Sequence, residues 1–171
     1  MKEFEELYAV SEKGALRFFF DGIAELLIGL RLHQQVKDAE ILHTASVLAS
    51  FSLSPVSSDP LAAPVGSLAE YFDVFVLGGE FSDPRIHEAA GAQIIFWVGF
   101  LRSQTKKTRH NISWYEKYGE ASYRRVSSLS PDGSRRKKLF FELSKNYSLW
   151  LQVCQRLNRE LQESRFVIPK S

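Results

Sequence analysis

Residues 139–161, LFFELSKNYSLWLQVCQRLNREL, carry the most regular apolar spacing in the chain. The apolar positions recur at steps of three and four, at Leu139, Leu143, Tyr147, Trp150, Cys154, Leu157 and Leu161. That period places them on one face of an α-helix. The stretch therefore predicts a long C-terminal helix; with a start near Pro131 it would have about 30 residues and span about 45 Å at the usual rise per residue.

Similar spacing in the N-terminal part predicts two more helices joined by a tight turn. Leucine, isoleucine and phenylalanine recur at three and four residues over about residues 15–36, which predicts the first of these helices. Gly14 is expected to separate it from a short helix near residues 2–9. The second helix is predicted over about residues 39–53.

The middle of the chain combines a loop with a weaker helical pattern. Residues 54–66, SPVSSDPLAAPVG, hold three of the six prolines and show no apolar period, so they predict a loop. Ser67 and Glu70 match a capping box, in which a hydroxyl and a carboxylate satisfy free backbone N–H groups. A helix over about residues 67–78 is predicted, although FDVFVL at residues 72–77 also suits a strand.

A central helix is predicted after Asp83. Asp83 is a suitable N-cap residue, and Pro84 suits the first helical position. Nearly every residue from 94 to 101 is apolar, so this helix is expected to be surrounded by others. Gly91 and Gly99 are predicted to allow close approach of a neighbouring element.

The rest of the chain completes an all-α pattern. A polar, basic connector at residues 102–111 precedes a helix predicted over about residues 112–127, and residues 165–171 form a short non-helical tail. No internal repeat is present. The sequence predicts one domain, residues 1–171, folded as an all-α, single-domain helical bundle of six or seven helices with a long C-terminal helix.

Composition suits a soluble domain with a substantial core. The chain is 44% hydrophobic, and a domain of this size buries roughly 70% of its unfolded surface. The single cysteine, Cys154, excludes an internal disulfide and a cysteine-based zinc site, and it fits a reducing, cytoplasmic location. The acidic start MKEFEELYAV does not resemble a secretory signal. The most apolar run, residues 89–101, is too short to span a bilayer, so no membrane insertion is expected.

Charge is distributed very unevenly along the chain. Residues 1–100 hold 6 Lys/Arg and 14 Asp/Glu, a net charge of −8. Residues 101–138 hold 11 Lys/Arg and 3 Asp/Glu, a net charge of +8. Such asymmetry points to an acidic partner for the basic segment, and it says nothing about the fold.

Four adjacent cations, Arg135 to Lys138, stand at the start of the last predicted helix. If that helix began after Ser134, the cations would occupy the positive end of the helix dipole, at a cost of about 0.3–1 kcal/mol per charge. Ser130 as N-cap with Pro131 at the first helical position offers an earlier start. The earlier start is preferred, and it would move the cations into the second turn.

The candidate binding surface is a basic patch made from two clusters. If the last two predicted helices form a hairpin, one cluster gathers at one end of the bundle. The second cluster lies about 25 Å away along the preceding helix. The first cluster is Arg124, Arg125, Arg135, Arg136, Lys137 and Lys138, and the second is Lys106, Lys107 and Arg109.

Two kinds of partner suit such a patch. An acidic protein surface, or the acidic N-terminal half of this chain itself, would make an adaptor or an oligomer interface. Nucleic acid is the alternative, since lysine and arginine neutralise phosphates. Four aromatic residues could then stack on bases where they are exposed. These are Trp114, Tyr115, Tyr118 and Tyr123. No helix-turn-helix, zinc-finger or RNA-binding signature accompanies them.

A metal site is a further alternative, at the hairpin of the first two predicted helices. His33 and His43 are equidistant from Asp38. Glu40 and His43 have the Glu-x-x-His spacing that places both side chains on one helical face. A bridged di-metal centre would need a second such motif, which the chain lacks, so His33, Glu40 and His43 could hold a single metal ion at most.

Catalytic motifs are absent from the sequence. It contains no Gly-x-Ser-x-Gly, no P-loop and no His-Glu-x-x-His. We therefore expect no cofactor and no catalytic residue, and we expect a protein that works by binding rather than by chemistry. An enzyme that uses His33, Glu40 and His43 is the remaining alternative.

Overall fold

The computed structural model describes residues 12–53, 62–63, 66–67, 83–101 and 112–163. Six α-helices lie in these residues, and they confirm a single-domain all-α bundle. They are α1 (Glu12–Gly29), α2 (Asp38–Leu53), α3 (Pro84–Ile94), α4 (Ile112–Leu129), α5 (Arg135–Lys145) and α6 (Tyr147–Glu163). A π-helix, Ile95–Phe100, continues α3 directly. The strands β1 (Ala62–Ala63) and β2 (Gly66–Ser67) form a minimal antiparallel pair, with Ala62 opposite Ser67.

The helices share one hydrophobic core. α4 packs against α3 and α5, α1 packs against α2 and α6, and α6 lies along the π-helix. The core is rich in aromatic side chains, whose rings meet edge to face, as those of Tyr123 and Tyr147 do at 5.4 Å. The largest fully buried side chains are Trp150, Tyr123, Tyr147, Phe140, Ile23, Leu27, Leu48, Ile94, Ile95 and Leu143.

The predicted central helix is confirmed. The Asp83 side chain accepts a hydrogen bond from the backbone N–H of Arg85 at 2.9 Å, and Pro84 occupies the first turn. Ile94 and Ile95 are fully buried. This segment therefore forms the interior wall against which α4 and α6 pack.

Glycines allow that close packing, as predicted for Gly91 and Gly99. A Cβ atom on Gly91 would lie 2.4 Å from the ring of Tyr123. The closest approach is at Gly119 of α4, where a Cβ atom would lie 2.1 Å from the ring of Tyr147. Any larger residue at these positions would push against a buried ring.

The predicted first helix ends earlier than its apolar period suggests. α1 stops at Gly29 rather than near residue 36, and Gly14 lies inside it rather than before it. Arg31 has a φ of 59°, and the backbone N–H of Leu32 donates to the carbonyl of Leu27 at 2.8 Å. Together with the backbone N–H of Arg31, which donates to the carbonyl of Ile28 at 3.0 Å, this bond forms a Schellman motif, which satisfies free carbonyls of the last turn and ends the helix.

The long C-terminal helix predicted from the apolar stripe is wrong, because the stripe is carried by two helices. α5 ends at Lys145 and α6 begins at Tyr147. Between them, Asn146 donates from its side chain to Oε1 of Glu40 at 3.0 Å, while its backbone N–H donates to Glu142. The helix is interrupted at Asn146, whose side chain bonds to α2, and the apolar face continues from α5 into α6.

Several predictions concern residues outside the described ranges. These are the short helix near residues 2–9, the basic connector at 102–111 and the tail at 165–171. Within the predicted loop at 54–66 and the predicted helix at 67–78, the described residues form only the β1–β2 pair. None of the helices in the described ranges is both long and apolar enough to cross a membrane.

Candidate binding surface

The first turn of α5 places its four cations at the positive end of the helix dipole. The N-cap is Ser134, whose Oγ accepts from the backbone N–H of Lys137 at 3.1 Å, and the first helical residue is Arg135. The predicted earlier start at Ser130 and Pro131 is therefore wrong. Arg135 to Lys138 occupy the turn in which cations are electrostatically unfavourable.

Ser130 closes α4 instead of opening α5. Its Oγ donates to the carbonyl of Val126 at 2.7 Å, and its backbone N–H donates to Ser127 at 3.1 Å. Gly133, with a φ of 75°, then turns the chain into α5. Glycine adopts this left-handed conformation at little cost, so Gly133 allows the chain to turn from α4 into α5 at this point.

Two of the four first-turn cations have partners within the molecule. Arg136 pairs with Glu88 of α3, and its guanidinium lies 4.8 Å from the centre of the Phe140 ring. Lys137 Nζ lies 3.2 Å from Oδ1 of Asp132 and 3.2 Å from the carbonyl of Ser127 at the end of α4. Both contacts offset the unfavourable dipole, because each cation meets negative charge or the negative end of another helix.

The other two first-turn cations face solvent. Arg135 and Lys138 are exposed, and neither forms an ion pair with any described residue. Helix formation gains nothing from either charge at this position. Their charges are the part of the patch that remains available to an external partner.

The α4 cations of the predicted patch differ from each other. Arg124 is exposed and pairs with Glu120 at 2.7 Å, one turn earlier on the same helix. Arg125 is half-buried, and its buried Nε has no hydrogen-bond partner in the described part of the chain. Lys106, Lys107 and Arg109, the predicted second cluster, lie outside the described residues.

Most of the aromatic side chains considered for base stacking are unavailable. Tyr115 and Tyr123 are buried in the core, and Trp114 and Tyr118 are half-buried against each other, with ring centres 4.1 Å apart. A stacking role requires an open ring face. None of these four residues forms an exposed platform beside the first-turn cations.

Phe141 of α5 is an exposed ring beside the basic patch, and it was not singled out from the sequence. It is 49% exposed, whereas its neighbour Phe140 is buried in the core. Lys145 Nζ lies 5.5 Å from the centre of the Phe141 ring. Its exposure could have been predicted from the helical period, since Phe140 and Leu143 continue the buried stripe toward Tyr147 and leave position 141 off that stripe.

The three residues proposed as metal ligands do not come together. His33 is exposed in the turn after α1, whereas Glu40 is buried in α2. Within the described ranges no group of three potential ligands, among His, Cys, Asp and Glu, is close enough to hold a metal ion. Both oxygens of Glu40 already accept hydrogen bonds, from Lys37, Asn146 and Trp150.

His43 takes part in an aromatic cluster. Its Nε2 is 2.8 Å from the hydroxyl oxygen of Tyr123, and its ring meets Phe140 edge to face. Burial lowers the pKa of His43 to about 4, an effect that Glu88 opposes and Arg136 reinforces. His43 is therefore neutral at physiological pH.

Cys154 is buried in α6, as its place on the apolar stripe predicts. Burial raises the pKa of its thiol to about 12. The nucleophilic thiolate is consequently scarce at neutral pH, as is usual for a cysteine that serves to fill the core.

Comparison with known proteins supplies no relative: no protein-family model matches the chain, and neither a curated protein nor a solved structure matches it.

Proposed function

We propose that this protein is a non-enzymatic helical binding protein whose basic α4–α5 end binds an acidic protein surface. One observation carries the proposal: Arg135 and Lys138 are exposed and without an ion pair in the described chain, in the first turn of α5. The dipole of α5 and the two side chains present positive charge in the same place. An acidic partner would offset the positive charge of the two side chains and that of the helix dipole.

Contacts inside the molecule support a protein partner rather than nucleic acid. The Arg136–Glu88 pair joins the basic segment to the acidic half of the chain, so carboxylates already complement this surface. Nucleic acid needs a track of phosphate contacts and benefits from exposed aromatic platforms. The unpaired cations at this end are few, and the rings nearby are mostly buried.

A charge-reversal variant tests the proposal. Arg135→Glu with Lys138→Glu should abolish binding of a labelled polyglutamate peptide, measured by fluorescence anisotropy at low salt. Lys117→Glu with Arg159→Glu is the matched control, because these residues are also exposed cations and the charge changes by the same amount. The control should retain binding, and binding by the native protein should weaken steeply between about 50 and 200 mM salt.

Stability separates loss of binding from loss of fold. Arg135→Glu replaces a cation by an anion at the positive end of α5, which should raise the free energy of unfolding by about 0.3–1 kcal/mol. The expected result is therefore a more stable protein that binds less. No peptide binding by the native protein at low salt, or an equal loss in the control, would overturn the proposal. Stronger binding to single-stranded RNA than to the peptide would replace it with nucleic-acid binding.

A further inference from the structure

An open groove lies between α1 and α6, away from the basic patch. It has a volume of about 510 Å³. Its floor and walls include Leu26, Leu30 and Leu161, and charged side chains line the same space. Leu30 is 40% exposed, and Phe18, one turn before Gly22 on the same face of α1, is 46% exposed. The groove is thus a surface of mixed leucine and charged side chains, which the described chain leaves open.

The charges around this groove favour a cationic partner. Glu25 is exposed and forms no ion pair with a described residue. Among the described residues Glu160 pairs with Arg156, at 3.4 Å; Arg156 also lines the groove, and both side chains are about half exposed. Such an exposed pair within one helix contributes little and can be exchanged for another contact.

The exposed ridge of α5 has the complementary character. Phe141 lies between Lys138 and Lys145, so a large apolar ring is flanked by two cations on the same side of the helix. Lys138 to Lys145 spans about 11 Å, and the α1 part of the groove wall, residues 22–29, also spans about 11 Å. The ridge and the groove are therefore similar in length, and the ridge cations are opposite in charge to Glu25 and Glu160, while Lys145 Nζ also lies 3.9 Å from Oε2 of Glu142 on its own helix.

We infer that the groove binds the α5 ridge of a second copy of this chain. Phe141 would enter among Leu26, Leu30 and Leu161, with Lys138 and Lys145 opposite Glu25 and Glu160. The inference rests on the proposed function and names its acidic partner. The groove is lined by α1 and α6, and the ridge belongs to α5, so one molecule can use both surfaces at once. A contact between two different surfaces produces head-to-tail chains or closed rings.

Paired charge reversals test this contact by sedimentation velocity over a concentration series at low salt. The ridge variant is Lys138→Glu with Lys145→Glu, and the groove variant is Glu25→Lys with Glu160→Lys. Each variant alone should be monomeric, because like charges would then face each other. Their equimolar mixture should associate again, since every contact between the two variants joins opposite charges. Phe141→Ala, at an exposed position, should weaken self-association about tenfold.

The outcomes separate this inference from the proposed function. Native protein that stays monomeric at the highest concentration overturns self-association, as does a mixture that fails to associate. If the polyglutamate peptide still binds in either case, the proposed function stands and its partner is another protein. If neither the peptide nor a second copy binds, both proposals fail. Association that survives in the ridge variant would show that a different surface joins the copies.

Discussion

Glu40 should be the most sensitive polar position in the described chain. Its side chain is 1% exposed, and its Oε1 accepts from Asn146 Nδ2 at 3.0 Å and from Trp150 Nε1 at 3.2 Å. Its Oε2 accepts from the backbone N–H of Lys37 at 2.8 Å, as in one half of a capping box. One carboxylate therefore caps α2 and holds it against the junction of α5 and α6.

The expected cost of Glu40→Ala follows from these contacts. Trp150 and Asn146 would each lose an acceptor, and an unsatisfied buried donor costs about 1–3 kcal/mol. Loss of the bond to the Lys37 N–H should cost about 1 kcal/mol more. Removal of a buried carboxylate recovers part of this sum, because its desolvation no longer opposes folding. We expect the free energy of unfolding to fall by about 2–4 kcal/mol.

Glu40→Gln separates the oxygen acceptor from the charge. The amide oxygen can still accept from Asn146 and Trp150, and only the bond to Lys37 is lost, so the cost should be about 1 kcal/mol. Urea denaturation followed by circular dichroism measures both variants, with Glu163→Gln as an exposed control expected to change stability by less than about 0.5 kcal/mol. A Glu40→Ala variant as stable as the native protein would show that these hydrogen bonds do not stabilise the junction. Equal costs for alanine and glutamine would show that the charge, rather than the acceptor geometry, stabilises this junction.

Three further predictions concern the core. Gly119→Ala should lower stability by about 1–3 kcal/mol in urea, because its Cβ would meet the Tyr147 ring at 2.1 Å, whereas Gly29→Ala, with nothing within 4 Å, should be nearly neutral. Since burial lowers the pKa of His43 from 6.5 to about 4, the unfolded chain binds more protons between these values. Stability should therefore fall by up to about 3 kcal/mol as the pH drops through that window, and His43→Gln should flatten the slope. Cys154, whose buried thiol has a pKa of about 12, should react with a thiol reagent only as fast as the protein unfolds and at once in denaturant.

The all-α fold class and the buried faces of the helices could be predicted from the sequence, because both depend on the local spacing of apolar residues. The stripe through Leu143, Tyr147 and Trp150 is buried as its period indicates. The start of the central helix was also readable, since an N-cap aspartate followed by proline acts through its immediate neighbours. Such features need no knowledge of the rest of the chain.

Helix boundaries were less predictable where two local solutions compete. Ser130, which is followed by Pro131, is an acceptable N-cap residue, and so is Ser134. The local sequence does not favour one start over the other. In the folded chain Lys137 reaches back to the end of α4, which favours the later start. Likewise, Asn146 interrupts the helix, although the apolar stripe continues, and its side-chain amide donates to Glu40, 106 residues earlier in the chain.

A helical bundle with a basic segment could be predicted from the sequence alone, since apolar spacing and charge are properties of neighbouring residues. Which of those charges remain available to a binding partner depends on how the helices pack in the folded chain. Arg136 meets Glu88 across 48 residues, whereas Arg135 and Lys138 have no ion-pair partner in the described chain. Helix packing likewise leaves the Phe141 side chain exposed and buries that of Phe140 in the core. Ion pairs and burial depend on how the helices pack in space, and the local spacing of residues along the chain does not specify that packing.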